Sequence, residues 1–368
     1  MRIPLSAPDV SEDDIAAVVS VLRTSRLSIG PKMVEFEQSI ADLIGVPHGV
    51  AVSSGTAGLH LCLRALEIGE GDEVILPSFT FIAAGNAVLY VRATPVFVDI
   101  DPLTLNLDPG KLEARITPRT RAILVVHTFG RPADLDPILE IARRHGLAVI
   151  EDACEALGAE YRGRKVGGVG DFGVFAFYPN KPITTGEGGM VVTRDAAMAE
   201  TMRALRNQGR RPEDGWTDHR LLGYNYRLSE INCVLGLSQM TRLESMLALR
   251  EAAAVRYTNE LASVPEVVTP QMDTGACWFV YVIRLAAQFT GAQRDFVCRR
   301  LTEQGIGCGR YFAPLHLQPL YAPYANGVDL AVTEQVSDRT LALPFFNRIT
   351  EAEIREVCAQ LRDAIAAA

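Results

Sequence analysis

The chain has 368 residues, 48% hydrophobic and 22% charged, the balance of an ordinary soluble globular protein with room for two domains. Lysine and arginine number 36 against 44 acidic residues, a formal charge of −8 with a pI near 5.4 and no basic stripe, which argues against nucleic acid as the main partner. Seven scattered cysteines (Cys62, Cys154, Cys233, Cys277, Cys298, Cys308, Cys358) form no C-x-x-C pair and predict reduced thiols, with neither a zinc site nor a disulfide framework. No apolar run reaches the roughly 18 residues of a membrane span. Met1-Arg2-Ile3-Pro4-Leu5-Ser6-Ala7-Pro8 lacks the apolar core of a secretion signal, so a cytoplasmic protein without membrane contact is expected.

In chain order, residues 13–22 and 33–43 read as amphipathic helices. Residues 50–52 read as a strand, 57–66 as a helix, and 73–76, 95–98 and 122–126 as further strands. A helix over 135–144 leads to a strand over 147–150. Strands alternating with helices predict a mostly parallel sheet covered on both faces, with working residues at the carboxyl ends of its strands. Residues 228–261 form one long helical stretch, free of proline and interrupted only by Gly236. A strand over 277–285 and helices over 292–304 and 351–367 follow, which places a domain boundary near residue 245, between a large domain 1–245 and a smaller one 246–368.

Gly168-Val169-Gly170-Asp171-Phe172-Gly173 matches the dinucleotide fingerprint by letter. A polar turn precedes it and the β-type run Val174-Phe175-Ala176-Phe177 follows it, the reverse of the strand-then-helix context that fingerprint needs. Asp99, Asp101 and Asp108 lack the turn glycine and closing glutamate of a calcium loop and read as turn caps. His127 stands at the carboxyl end of a strand and is assigned no role.

Three segments carry more. Asp152, in Ile150-Glu151-Asp152-Ala153-Cys154-Glu155, follows an apolar strand and faces either a ligand crevice or a helix start. Lys181 follows an aromatic strand, is flanked by Pro179 and Pro182, and precedes the small polar loop Thr184-Thr185-Gly186-Glu187-Gly188-Gly189, the setting of a held amine. Ser53-Ser54-Gly55-Thr56-Ala57-Gly58 joins a strand to a helix, where small residues and free N–H groups suit an anion. A lysine for an aldehyde, a carboxylate for a pyridine nitrogen and an anion cradle together describe a site for pyridoxal 5′-phosphate.

The blocks SGTAGL, PSFTF, EDACEALGA, FAFYPNKPITTGEGGMVVT and GYNYRLSEIN, in this order and spacing, strongly resemble the DegT/StrS family of fold-type-I aminotransferases. EDACEALG and NKPITTGEGGM look nearest to its GDP-perosamine synthase branch. The resemblance runs from about residue 3 to the C-terminus. It implies a large domain with a mostly parallel seven-stranded sheet, a smaller C-terminal α+β domain and a pyridoxal phosphate cofactor. It further implies an enzyme that moves the amino group of L-glutamate to a nucleotide-linked keto-sugar.

Carried over by motif, Lys181 matches the Schiff-base lysine and Asp152 the partner of the pyridine nitrogen. Gly55, Thr56 and Ala57 match the phosphate cradle, the last two through their amides. Phe81 matches the aromatic that stacks on the cofactor ring. Glu155 stands where most members carry Gln or His near the cofactor's phenolic oxygen, so it must be protonated or bonded differently. Ala176 replaces a serine that touches the phosphate in many members, removing one donor. Asn225 matches an asparagine that reaches the phosphate of the neighbouring subunit, which implies a homodimer with shared sites. Ser28 and His316 match residues near the sugar nucleotide, and His316 reads equally well as a satisfied loop residue. No metal ligand set is expected. The rival readings are an aminotransferase of cyclitols or other keto-substrates from the same family, and a binding protein that keeps the fold without catalysis.

Overall fold

The computed structural model describes residues 2–211, 219, 221–272, 275–325 and 327–368. Helices α1 (Glu12–Leu22) and α2 (Pro31–Ile44) precede strand β1 (His48–Val52). Next come α3 (Gly55–Ala65), β2 (Glu73–Pro77), α4 (Ile82–Tyr90), β3 (Thr94–Val98), β4 (Thr120–Val126), α5 (Leu135–His145) and β5 (Ala148–Asp152). A small hairpin, β6 (Glu160–Tyr161) and β7 (Arg164–Lys165), leads to β8 (Phe172–Ala176), β9 (Gly189–Thr193) and α6 (Ala196–Arg206). The remainder holds α7 (Glu230–Met240), α8 (Leu243–Leu261), β10 (Val267–Val268), β11 (Tyr281–Leu285), α9 (Gly291–Glu303), α10 (Ala331–Ser337), β12 (Thr340–Leu343) and α11 (Glu351–Ala366).

Seven strands form the large sheet in the order β1-β9-β8-β5-β4-β2-β3. All neighbours are parallel except β9, which runs antiparallel to both β1 and β8. Side chains alternate between the two faces of a strand. On β4, Ile123 and Val125 join the cluster under α2 and α5, whereas Ala122, Leu124 and Val126 join the cluster under α3 and α4. The sheet is therefore buried on both sides, which explains why its strands read as continuous apolar runs. Because β8 is parallel to β5 and returns through β9, the connecting loop 177–188 must lie at the carboxyl end of β5.

A second sheet, β10-β11-β12, is antiparallel and packs with α8, α9 and α11 around Tyr257, Tyr281, Leu301, Leu341 and Leu361. The start of the chain joins this cluster through Ile3, which bridges Ile306. Capping boxes at Thr290/Gln293 and Thr350/Glu353 start α9 and α11.

Two expectations are corrected. The helix expected across 228–261 is broken between α7 and α8 at Thr241 and Arg242. No proline or glycine causes the break. Arg242 reaches Asp14 at 2.8 Å and Gln239 donates to Asp14 at 2.7 Å, so a buried carboxylate on α1 collects both sides of the turn. Cys298 and Cys308 are joined as a disulfide, with Cα atoms 5.9 Å apart, where reduced thiols were expected. The turn after α9 brings residue 308 back alongside the helix, a proximity that sequence separation does not disclose. Cys62, Cys154, Cys233, Cys277 and Cys358 are free.

Candidate active site

The carboxyl ends of β5 and β8, the start of α3 and two segments from the smaller sheet enclose a cavity of about 700 Å³. Asp152, the last residue of β5, lines it and is 8% exposed. Its Oδ1 accepts the Cys154 N–H at 3.1 Å, which turns the chain immediately after the strand and aims Glu155 into the same cavity.

Lys181 sits on the loop that follows β8. Its N–H donates to the Tyr178 carbonyl at 2.9 Å, closing a tight turn, and its Nζ lies 3.8 Å from the centre of the Phe279 ring. Arg250 of α8 fixes this arrangement from behind. Its guanidinium donates to the carbonyls of Asn180, Lys181 and Phe279 and to Asn347 Oδ1, at 3.4, 3.3, 2.9 and 2.6 Å. Complete burial pulls this guanidinium down to about 10. The hydroxyls of Thr184 and Thr185 do not line the cavity; they donate to the Phe177 and Glu187 carbonyls at 2.9 and 2.7 Å and shape the loop.

At the start of α3, Ser54 Oγ accepts the Ala57 N–H at 3.1 Å. That N–H was expected to face an anion and is instead spent on the helix cap, and Ala57 lies outside the cavity lining. The amides of Gly55 and Thr56 donate to no acceptor among the described residues, and both residues line the cavity. A Cβ on Gly55 would stand 2.7 Å from Cys154 Sγ and 2.9 Å from the Ala176 Cβ, so only glycine lets the helix start lie this close to β8 and the β5 turn.

Glu155, which lines the cavity, is a perturbed acid. Burial pushes its carboxyl up to about 7, the nearby Lys181 ammonium pulls the other way, and the Phe129 N–H donates to Oε2 at 2.8 Å. Phe81, the residue before α4, lines the cavity and is 60% exposed.

Three expected site residues lie elsewhere in the chain. Asn225 bridges Asn207 and Ser28 bridges Ser229, both away from the cavity lining. His316 is buried in a closed network, with Ser78 Oγ at 2.7 Å and Glu334 Oε1 at 3.1 Å. This is the satisfied-loop arrangement. Conversely, Phe279, Arg250, Arg310 and Tyr311 carry no local motif, since only packing of the smaller sheet brings them to the lysine.

The glycine-rich decoy is accounted for as well. The amides of Gly167, Val169 and Gly170 donate to Glu151, which also holds His127 Nε2 at 2.9 Å, so this loop wraps a buried carboxylate of its own chain.

The sequence profile of the DegT/DnrJ/EryC1/StrS aminotransferase family matches residues 8–362. The chain belongs to this family. A GDP-perosamine synthase from Caulobacter vibrioides is 45% identical over 364 residues, 98% of this chain and 97% of the relative. Among solved structures, Helicobacter pylori PseC, an aminotransferase of pseudoaminic acid biosynthesis, superposes with a TM-score of 0.95 at 28% identity over 100% of both chains. DesV from S. venezuelae, solved with a ketimine intermediate, superposes with a TM-score of 0.88 at 37% identity over 95% of this chain and 94% of its own. The large sheet with a smaller C-terminal α+β unit is the fold-type-I architecture, and this member is a pyridoxal phosphate-dependent aminotransferase. Its residues fit that cofactor: a lysine, a carboxylate at a strand end and, at a helix start, the two open amides of Gly55 and Thr56, brought close to β8 and the β5 turn by the missing Cβ of Gly55.

Proposed function

We propose that this family member transfers the amino group of L-glutamate to a nucleotide-linked keto-sugar, a 4-keto-6-deoxy sugar foremost. The meeting of Lys181, Asp152 and the open amides of Gly55 and Thr56 around one cavity carries the reading. The likeness to a GDP-perosamine synthase supports the sugar class.

Pyridoxal phosphate, when bound, supplies an aldehyde for the amino group and a ring that withdraws electrons. Asp152 holds the proton at the ring nitrogen. Gly55 and Thr56 bind the phosphate through their amides, aided by the positive end of α3. Ala176 contributes no hydroxyl there. Phe81, which lines the cavity, would pack against the ring. Glu155, protonated in part near neutral pH, donates towards the phenolic oxygen, where a carboxylate would repel it. Lys181 would hold the cofactor through Nζ, and that amine is the base placed to move the proton at the donor's α-carbon and to serve the keto-sugar in the reverse direction. The Phe279 face beneath Nζ and the Arg250 clamp limit where that amine can swing.

Asn225 and Ser28 lie away from the cavity lining of their own chain; a homodimer whose sites are shared through Asn225 rests on the motif match of that residue. His316 acts on the sugar side only through the segment it anchors. The division into 1–245 and 246–368 and a cytoplasmic location belong to the same proposal; among the described residues no helix is long and apolar enough to cross a membrane. The test is a two-step incubation. L-Glutamate should bleach the near-visible band of the holoenzyme, and one member of a panel of nucleotide-linked keto-sugars should restore it. A holoenzyme bleached by glutamate and restored by none of them, but restored by a free keto-cyclitol, would overturn the sugar reading.

A further inference from the structure

We propose that Arg310 is the anchor for a carboxylate of the amino donor. This rests on the reading that the donor is L-glutamate. The donor brings two carboxylates into a cavity whose lining already holds Asp152, Glu155 and Glu187. Unpaired entry of those charges would be repelled. The cations in that lining are Lys181, committed to the cofactor, and Arg310.

Arg310 differs from the other arginine beside the lysine. Arg250 is buried and spends its guanidinium on fixed carbonyls. Arg310 is 39% exposed, has Asp338 as its charged neighbour only at 4.0 Å, and donates to no acceptor among the described residues. Its planar donor fork is therefore open for a two-point grip on a carboxylate.

The backbone around it is held at both ends. Gly309 exchanges hydrogen bonds with Ala342 of β12 at 3.2 and 2.8 Å. Leu315 donates to the Ser78 carbonyl at 2.9 Å, and the His316 N–H and ring meet Ser78 Oγ. Residues 309–316 thus form a strap from the small sheet to the end of β2, with Arg310, Tyr311, Phe312 and Ala313 lining the cavity between the two anchors. A cation on a strap tied at both ends presents a charge at a fixed place, as a recognition contact requires.

The test uses holoenzyme of the parent, Arg310→Ala and Arg310→Lys. Half-saturating L-glutamate is read from the bleaching of the near-visible band, and binding of GDP, as a phosphate-bearing probe, from calorimetry. Losing a charge-assisted pair raises the half-saturating glutamate by about 10- to 100-fold in Arg310→Ala. Arg310→Lys should recover part of it, keeping the charge without the fork, and GDP binding should stay within about twofold. Unchanged glutamate saturation overturns the proposal. So does weaker GDP binding with unchanged glutamate, which makes Arg310 a phosphate contact, and so does equal loss of both, which makes it structural. A parent holoenzyme that glutamate does not bleach overturns the donor reading itself, and the anchor with it.

Discussion

The Glu155 carboxyl gives a prediction with a worked magnitude. Its rise from an ordinary 4.5 to about 7 means that the folded chain keeps a proton over a range where the unfolded chain has lost it. Stability therefore falls as pH rises from 4.5 through 7, and above 7 the full cost remains. The displacement corresponds to about 3 kcal/mol. Glu155→Gln removes the titration while keeping an oxygen for the Phe129 N–H, which donates to Glu155 at 2.8 Å. In the cofactor-free chain at fixed protein concentration, the variant should gain about 3 kcal/mol on the parent between about pH 4.5 and pH 8. Denaturant titrations of both proteins across that range measure the gap. A gap that stays constant with pH would refute the idea that burial controls this carboxyl.

Lys181→Ala should lower transamination by about 100- to 10,000-fold while leaving the far-ultraviolet spectrum unchanged, and borohydride should trap the cofactor of the parent on Lys181 and on no other lysine. Asp152→Asn should retain cofactor yet lose at least about 100-fold in rate; activity within a few-fold of the parent would make Asp152 a turn cap only. Gly55→Ala should cost about 1–3 kcal/mol of stability and weaken cofactor retention on dialysis, because its Cβ would stand 2.7 Å from Cys154 Sγ and 2.9 Å from the Ala176 Cβ. Mixing Lys181→Ala with Asn225→Asp subunits after dissociation should restore up to about a quarter of parent activity, one intact site in half of the dimers; no recovery would mean that Asn225 serves its own chain or none.

How much of this was legible depends on where the information lies. Gly55, Asp152 and Lys181 stand on strand-to-loop junctions, and a parallel sheet sends the carboxyl ends of its strands to one edge. Local motifs therefore predict a shared site before any tertiary contact is known. The cap at Ser54 escapes the motif reading, which assigns the Ala57 amide to an anion, although a serine three residues before it competes for that N–H, and the structure spends the Ala57 N–H there. The break after Met240 was not legible, because its cause is Asp14, more than two hundred residues away and joined to Gln239 and Arg242 only in the folded chain. Phe279 is the same kind of case: one aromatic in an apolar strand-like run, distinguished only by the ammonium above it.

Arg250 shows why such residues matter to the chemistry and not only to the fold. One guanidinium holds the carbonyls of Asn180 and Lys181 on the large-sheet side and those of Trp278 and Phe279 on the small-sheet side. Buried carbonyls and a buried cation satisfy one another here, so separating the two sides would leave both unpaired at a cost of several kcal/mol. The lysine and the ring beneath it thus move as one body. Any adjustment of the cavity to two substrates as different as an amino acid and a nucleotide sugar must then fall on parts outside that clamp. The strap over 309–316 lies outside that clamp but is itself tied, by backbone pairs at Gly309 and Ser78 and by the His316 network, so adjustment is left to side chains along the wall it forms. The reacting amine stays fixed while recognition is left to the opposite wall, a division of labour suited to one base serving both halves of a transfer.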